Sequence, residues 1–214
     1  MYQPKQFEEN RPEVLRAVVQ QHPLALLITL SDDGLQADPI PLLWRENAVG
    51  QVVLAGHVAR ANPLWQRTRF DTEVLAVFQG PQHYISPGWY ATKAEHGRAV
   101  PTWNYVTVQA RGPLRVVQDP AWLRQLVDDL TNQQEAPMPQ PWQVGDAPAD
   151  YISKMLAAII GIEIPVTQWV GKWKTSQNQP SENQASLVQA LNAMGETSNA
   201  ARDMAALVRA GAAG

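Results

Sequence analysis

The stretch PLALLITLSDDGLQADPIPLLW, residues 23–44, decides the fold. Two apolar runs, 23–31 and 35–44, flank a short Asp-Gly connection, a pattern that predicts a β-hairpin. Pro39 and Pro41 remove two ladder donors two residues apart, which points the second strand to a sheet edge. Working outward, QVVLAGH (51–57) and EVLAVFQG (73–80) read as a third and a fourth strand. TWNYVTVQARGPLRVVQ (102–118) reads as a pair round a Gly-Pro turn, and IGIEIPVTQWV (160–170) as the last strand. Residues 80–101 carry too much Gly and Pro for regular structure and read as one long loop, a kind of segment that is more often functional than idle.

Helical spacing marks 11–22 and 63–70, and Asp119 followed by Pro120 opens a helix over 119–135. Two more are expected, at 149–159 and from Ser181, where Ser181 and Gln184 suggest a capping box. Six or seven strands joined by short hairpins, with peripheral helices, indicate a mainly β fold with α additions: an antiparallel barrel. The expected division is a domain over 1–190 and an Ala-rich tail, 191–214, forming a short helix or partly disordered.

The chain has 214 residues, 45% of them hydrophobic and 17% charged, the profile of a globular protein with room for one sizeable core. No apolar run approaches the roughly 18 residues of a membrane span, and the first ten residues are polar, so a cytoplasmic protein is expected. With no cysteine there is no disulfide, thiolate metal site or cysteine nucleophile. The net charge of −3 argues against strong autonomous binding to nucleic acid. The histidines show no i, i+4 pairing, and Gly-x-Ser-x-Gly, Gly-x-Gly-x-x-Gly and Gly-Lys-Ser/Thr motifs are absent. A metal site, a hydrolase triad and Rossmann or P-loop nucleotide sites are therefore not expected.

Four stretches carry candidate chemistry. In GHVARANP (56–63), Asn62 and Pro63 resemble an N-cap and first helical residue, where free N–H groups favour an anion. Arg60 offers a bidentate bond to phosphate, His57 a further donor and Gly56 a close backbone approach; the same residues also read as a plain strand-to-helix turn with an exposed arginine. In VPTWNYVTV (100–108), Thr102, Asn104 and Val106 share one strand face and Trp103, Tyr105 and Thr107 the other, which suits either a polar ligand or ordinary core packing. In GKWKTSQN (171–178), Trp173 between Lys172 and Lys174 suits a planar anion or a solvated exit loop. In 85–101, Trp89, Tyr90, Lys93, His96 and Arg98 line a ligand mouth or decorate a lid, with Tyr90, Lys93 and His96 as candidate proton donors.

Together MYQPKQF, GHVARANPLW, FQGPQHYISPGWY, VPTWNYV and GKWKTSQN resemble the PaiB-type FMN-binding negative transcriptional regulators, in order from residue 1 to about residue 190. The resemblance implies an FMN-binding split β-barrel of the pyridoxamine-phosphate-oxidase-like kind, working as a homodimer with FMN at the subunit interface. It assigns His57, Val58, Ala59, Arg60 and Asn62 to the phosphate end. It makes Thr102, Trp103, Asn104 and Tyr105 neighbours of the phosphate or ring, and brings Lys172, Trp173, Lys174 and Gln177 from the partner chain. Three roles stay open: a repressor-like regulator, with DNA implied by the resemblance but disfavoured by charge; an FMN-dependent oxidoreductase or flavin reductase; and a flavin-binding barrel without turnover.

Overall fold

The computed structural model describes residues 1–211. In chain order the first elements are β1 (Glu8–Glu9), α1 (Pro12–Gln21), β2 (Leu24–Ser31), β3 (Gly34–Pro41), β4 (Leu43–Glu46), β5 (Val52–Ala59) and α2 (Leu64–Arg67). Then come β6 (Glu73–Ile85), α3 (Lys93–His96), β7 (Thr102–Pro113), β8 (Arg115–Val117), α4 (Pro120–Glu135) and α5 (Ala149–Ala157). β9 (Ile159–Pro165), β10 (Gln168–Lys174), α6 (Ser181–Gly195) and α7 (Asn199–Gly211) complete the described chain. The strands form open, mostly antiparallel sheets with helices added, a split β-barrel. Contacts divide the chain into a first unit (Met1–Val18, Gln79–Val108, Val170–Gly214) and a second (Val19–Phe78, Gln109–Trp169).

In the second unit, β2 alternates outward and inward residues and pairs with β3 from Leu24↔Pro41 to Ser31↔Gly34. The loop is Asp32–Asp33, and Gly34 opens β3 at φ 104°, a left-handed conformation that glycine adopts without strain. The hydroxyl of Ser31 secures the turn, donating to the Gly34 carbonyl and accepting from the Asp33 amide, both at 3.2 Å. β6 pairs with β2 at Leu75–Val77, and β3 lies at the edge, where its prolines cost no ladder bond. The apolar run of 35–44 is divided at buried Leu42, whose amide donates to the Pro23 carbonyl at 2.9 Å. β4 then starts a second sheet, ordered β4-β5-β9-β8. Leu27, Leu54, Phe78, Ile160, Ile162 and Ile164 are fully buried in this unit, each worth roughly 1.5–3 kcal/mol on transfer from water. Asp119 caps α4 as expected, accepting from the Trp122 amide at 2.7 Å.

In the first unit the strand order is β1-β10-β7-β6. Three local expectations change. Residues 80–85 continue β6, because Pro81 lies beyond the Leu75–Val77 stretch that pairs with β2; the rest of the expected loop contains a 3-10 turn at Pro87–Trp89 and α3. The expected last strand is two strands, β9 and β10, separated at Val166–Thr167. No capping box forms at α6: Pro180 is the cap residue, and the Gln184 side chain donates instead to the Gln179 carbonyl at 2.8 Å. The Ala-rich segment after residue 190 is the end of α6 followed by α7. Leu187, Leu191, Met204 and Val208 from these helices bury with Ile85 and Tyr90 in one cluster, and the small Ala201 and Ala205 complete it. Residues 212–214 of the expected tail lie outside the described residues.

Candidate functional site

The sequence-predicted site residues fall into two groups, one in each unit. In the second unit, β5 carries Gly56 and His57 toward the turn before α2. A Cβ on Gly56 would stand 2.7 Å from the Pro41 carbonyl oxygen and 2.8 Å from Leu42 Cδ2. The close backbone approach read from that glycine is therefore made by the chain itself, where β3 gives way to β4. His57 is half-buried beside a cavity of about 490 Å³ with Pro23, Leu24, Pro41, Leu130 and Trp142. Its Nδ1 is buried without a hydrogen-bond partner among the described residues, and burial holds the imidazole below its ordinary pKa, in the neutral form. Val58 is buried and Ala59 exposed.

Arg60 follows β5 and closes on the end of α5. Its amide donates to the Ala158 carbonyl and its Nε to the Ala157 carbonyl, both at 2.8 Å. A cation at a helix C-terminus is favourably placed. The two outer guanidinium nitrogens make only long contacts, 3.5 Å to Gln118 and 3.4 Å to the Ile159 carbonyl, so they can turn to another acceptor. Asn62 accepts from the Leu64 amide at 2.8 Å and donates to Asp38 at 3.1 Å. The helix it introduces is one turn long and counts Pro63, one residue later than expected, as its cap. Asn62 also lines a cavity of about 540 Å³ with Thr29, Ser31, Gln36, Asp38 and Thr68. His57 and Asn62 thus border different cavities, and Arg60 stands on the exposed turn joining them.

In the first unit, Thr102 and Asn104 point to one side of β7 and meet β10. Lys174 Nζ donates to Thr102 Oγ1 at 2.5 Å and to the Trp103 carbonyl at 2.7 Å. Burial lowers the pKa of its ammonium, against a smaller opposing effect of Tyr105; the nearby charge of Lys172 adds a still smaller lowering. Asn104 is fully buried and exchanges hydrogen bonds with Ser176. On the other side of β7, Trp103 is 54% exposed and meets Tyr84 edge-on, with ring centroids 6.0 Å apart. Lys172 is buried between the rings of Tyr2 and Tyr105, 5.7 and 5.4 Å from their centroids, and donates to the Tyr2 carbonyl at 3.0 Å. Gln177 closes its own turn, donating to the Trp173 carbonyl at 2.5 Å and accepting from the Thr175 amide at 2.8 Å.

Thr102, Asn104 and Lys174 therefore share one cavity, of about 220 Å³, together with Tyr90, Arg98 and Ser176. Lys93 and His96, the other candidates on that segment, are exposed on α3. Ser176 and Asn183, which also lines the cavity, were missed by sequence reasoning. No periodic signal marks a serine in a post-strand turn, and Asn183 reads as an ordinary first-turn helix residue.

A family model described as "Putative FMN-binding domain" matches residues 1–168. A protein of Emericella nidulans is 30% identical, the match covering 98% of this chain and 96% of that one. The "Protease synthase and sporulation protein PAI 2" of Bacillus subtilis is 27% identical over 97% of this chain and 96% of its own. Among solved structures, an FAD and heme binding protein from Mycobacterium smegmatis has the same fold with a TM-score of 0.57 at 17% identity, covering 78% of this chain and 73% of that one.

Proposed function

Since the chain belongs to the family described as "Putative FMN-binding domain", we propose that it holds FMN at the interface of a homodimer, with the phosphate end on the His57–Asn62 segment. FMN is the cofactor that membership of this family assigns. The second unit suits it chemically. Hydroxyls and amides of Thr29, Ser31, Gln36 and Thr68 line a cavity in the size range of cofactor sites and match a polyol chain. The observation that carries the reading is the orphaned Nδ1 of His57, a buried polar atom on the strand that leads to Arg60. Such atoms are rarely left unpaired in a finished site. Arg60, with two guanidinium nitrogens only loosely held, would supply the charge opposite the phosphate.

Two further features support a dimer. The outward face of β2 and β3 presents Leu24, Leu26, Leu35, Pro39 and Pro41 in adjacent register, and Leu24 and Leu35 are 63% and 74% exposed. A contiguous apolar face of this kind is suited to protein contact. Trp173 would approach the ring end from the partner protomer, and the exposed Trp103 face is available for stacking. Bound flavin supplies redox chemistry, while the protein binds and orients it and sets its electrostatic surroundings.

The role we favour is regulatory, supported by the similarity to the Bacillus protein named for protease synthesis and sporulation. The net charge of −3 favours control through a partner or a local patch over a broad basic DNA-binding face. Gel-shift measurements across salt concentrations test direct contact with DNA, and the absence of a sequence-selective shift at low salt removes it. For the cofactor, Arg60→Ala should weaken FMN by about 1.5–3 kcal/mol while leaving riboflavin binding nearly unchanged. Equal losses for both ligands would place Arg60 away from the phosphate.

A further inference from the structure

The first-unit cavity bordered by Lys174, Arg98, Thr102, Asn104 and Ser176 has a charge balance that nothing among the described residues satisfies. Two cations line it and, among the described residues, no carboxylate does. Lys174 is fixed by two neutral oxygen acceptors, and among the described residues no acid pairs with it. The Arg98 guanidinium has no partner among the described residues; only its backbone amide is bonded, to His96 Nδ1 at 3.0 Å. We propose that this cavity is a binding site for a small oxyanion, a carboxylate or phosphate group carried by a small molecule, held by Lys174 and Arg98 and oriented by Asn104 and Ser176. Lys174, which the sequence assigned to the flavin, thereby takes a different ligand.

Four observations bear on this assignment. First, a partly buried ammonium held by two neutral oxygens, with the charge of Lys172 nearby, is disfavoured; burial lowers its pKa, and a bound anion would offset that penalty. Second, the polar wall is built in advance. Asn183 accepts from the amide and hydroxyl of Thr92 at 3.0 and 3.1 Å, while Asn104 and Ser176 fix one another, so little side-chain order is lost on binding. Ser176 holds φ 65°, the one left-handed non-glycine residue among those described, and local strain of this sort gathers at ligand sites. Third, about 220 Å³ lies below the roughly 300–1,000 Å³ usual for drug-sized ligands, too little for a whole flavin nucleotide. Fourth, Lys174, Ser176 and Asn183 lie beyond residue 168, outside the stretch matched by the FMN-binding description. The site therefore does not depend on the flavin assignment.

The test is an amide-resolved NMR titration of the full chain, run separately with inorganic phosphate and with benzoate at constant ionic strength, and with neutral benzamide as control. Saturable shifts at Asn104 and Ser176 with at least one anion, and none with benzamide, are expected. The tighter arm identifies the phosphate or carboxylate source. Arg98→Gln, at an exposed position, should weaken that anion about tenfold or more, and Lys174→Met at least as much. FMN added to the anion-saturated protein should leave those shifts in place. The proposal is overturned if neither anion gives saturable shifts, if both variants bind as the parent does, or if FMN displaces the anion from these residues. A protein that binds anion but not FMN upholds this site while removing the flavin reading.

Discussion

Asn104 and Ser176 bind each other twice: Asn104 Nδ2 donates to Ser176 Oγ at 2.9 Å, and the hydroxyl donates back to Asn104 Oδ1 at 3.1 Å. Both side chains are almost wholly buried, and the pair ties β7 to the turn after β10. Removing either partner leaves the other without the bond that ties these two elements together. Asn104→Ala is expected to cost about 1–3 kcal/mol, read from the urea midpoint. Ser176→Gly should be milder than Ser176→Ala, because glycine also relieves the left-handed backbone at φ 65°. Equal costs for the two Ser176 variants would show that the conformation carries no strain.

His57 gives the protein a pH dependence with a definite sign. In the unfolded chain it ionises near its ordinary pKa of 6.5, whereas burial lowers the value in the folded chain. Below 6.5 the unfolded state thus binds more protons, and stability is lost as the pH falls from there toward the folded pKa. His57→Asn should flatten this part of the profile in urea unfolding between pH 7.5 and 5.5. A profile unchanged by the substitution would mean that the imidazole is not desolvated.

The outward face of β2–β3 predicts a dissociation phenotype. Leu35 is exposed in the protomer, so Leu35→Glu should alter its intrinsic stability by no more than about 0.5 kcal/mol. If this face joins two protomers, the same change buries an unpaired charge in the interface and shifts the dimer toward monomer in sedimentation velocity. A variant that remains as dimeric as the parent would move the interface elsewhere.

Periodicity made much of this molecule legible. The alternation of 24–31, the paired prolines 39 and 41 and the Asp119 cap all express local chemistry, and the structure places each where that chemistry leads. What stayed hidden depended on distant partners. Nothing local indicates that Pro81 lies past the part of β6 that pairs with β2, or that the chain turns at Val166–Thr167 between two strands. Gly56 was read as letting backbone approach a phosphate; the atom that comes close in the fold is the Pro41 oxygen, a partner no local pattern names. Of the site, Thr102, Asn104 and Lys174 were read from two separate motifs and meet round one cavity. Lys172 and Gln177 were singled out for the same chemistry, yet their polar atoms bond to their own chain, a fact set by the fold of residues 2–6 and 173–177.

Flavin seated between two protomers is the central claim, and fluorescence titration of FMN with the purified chain, followed by light scattering of the saturated sample, tests it most directly. The account predicts quenching that saturates at one FMN per protomer and the mass of a dimer. Unquenched FMN at micromolar protein, or saturation in a species with the mass of a single chain, would contradict it.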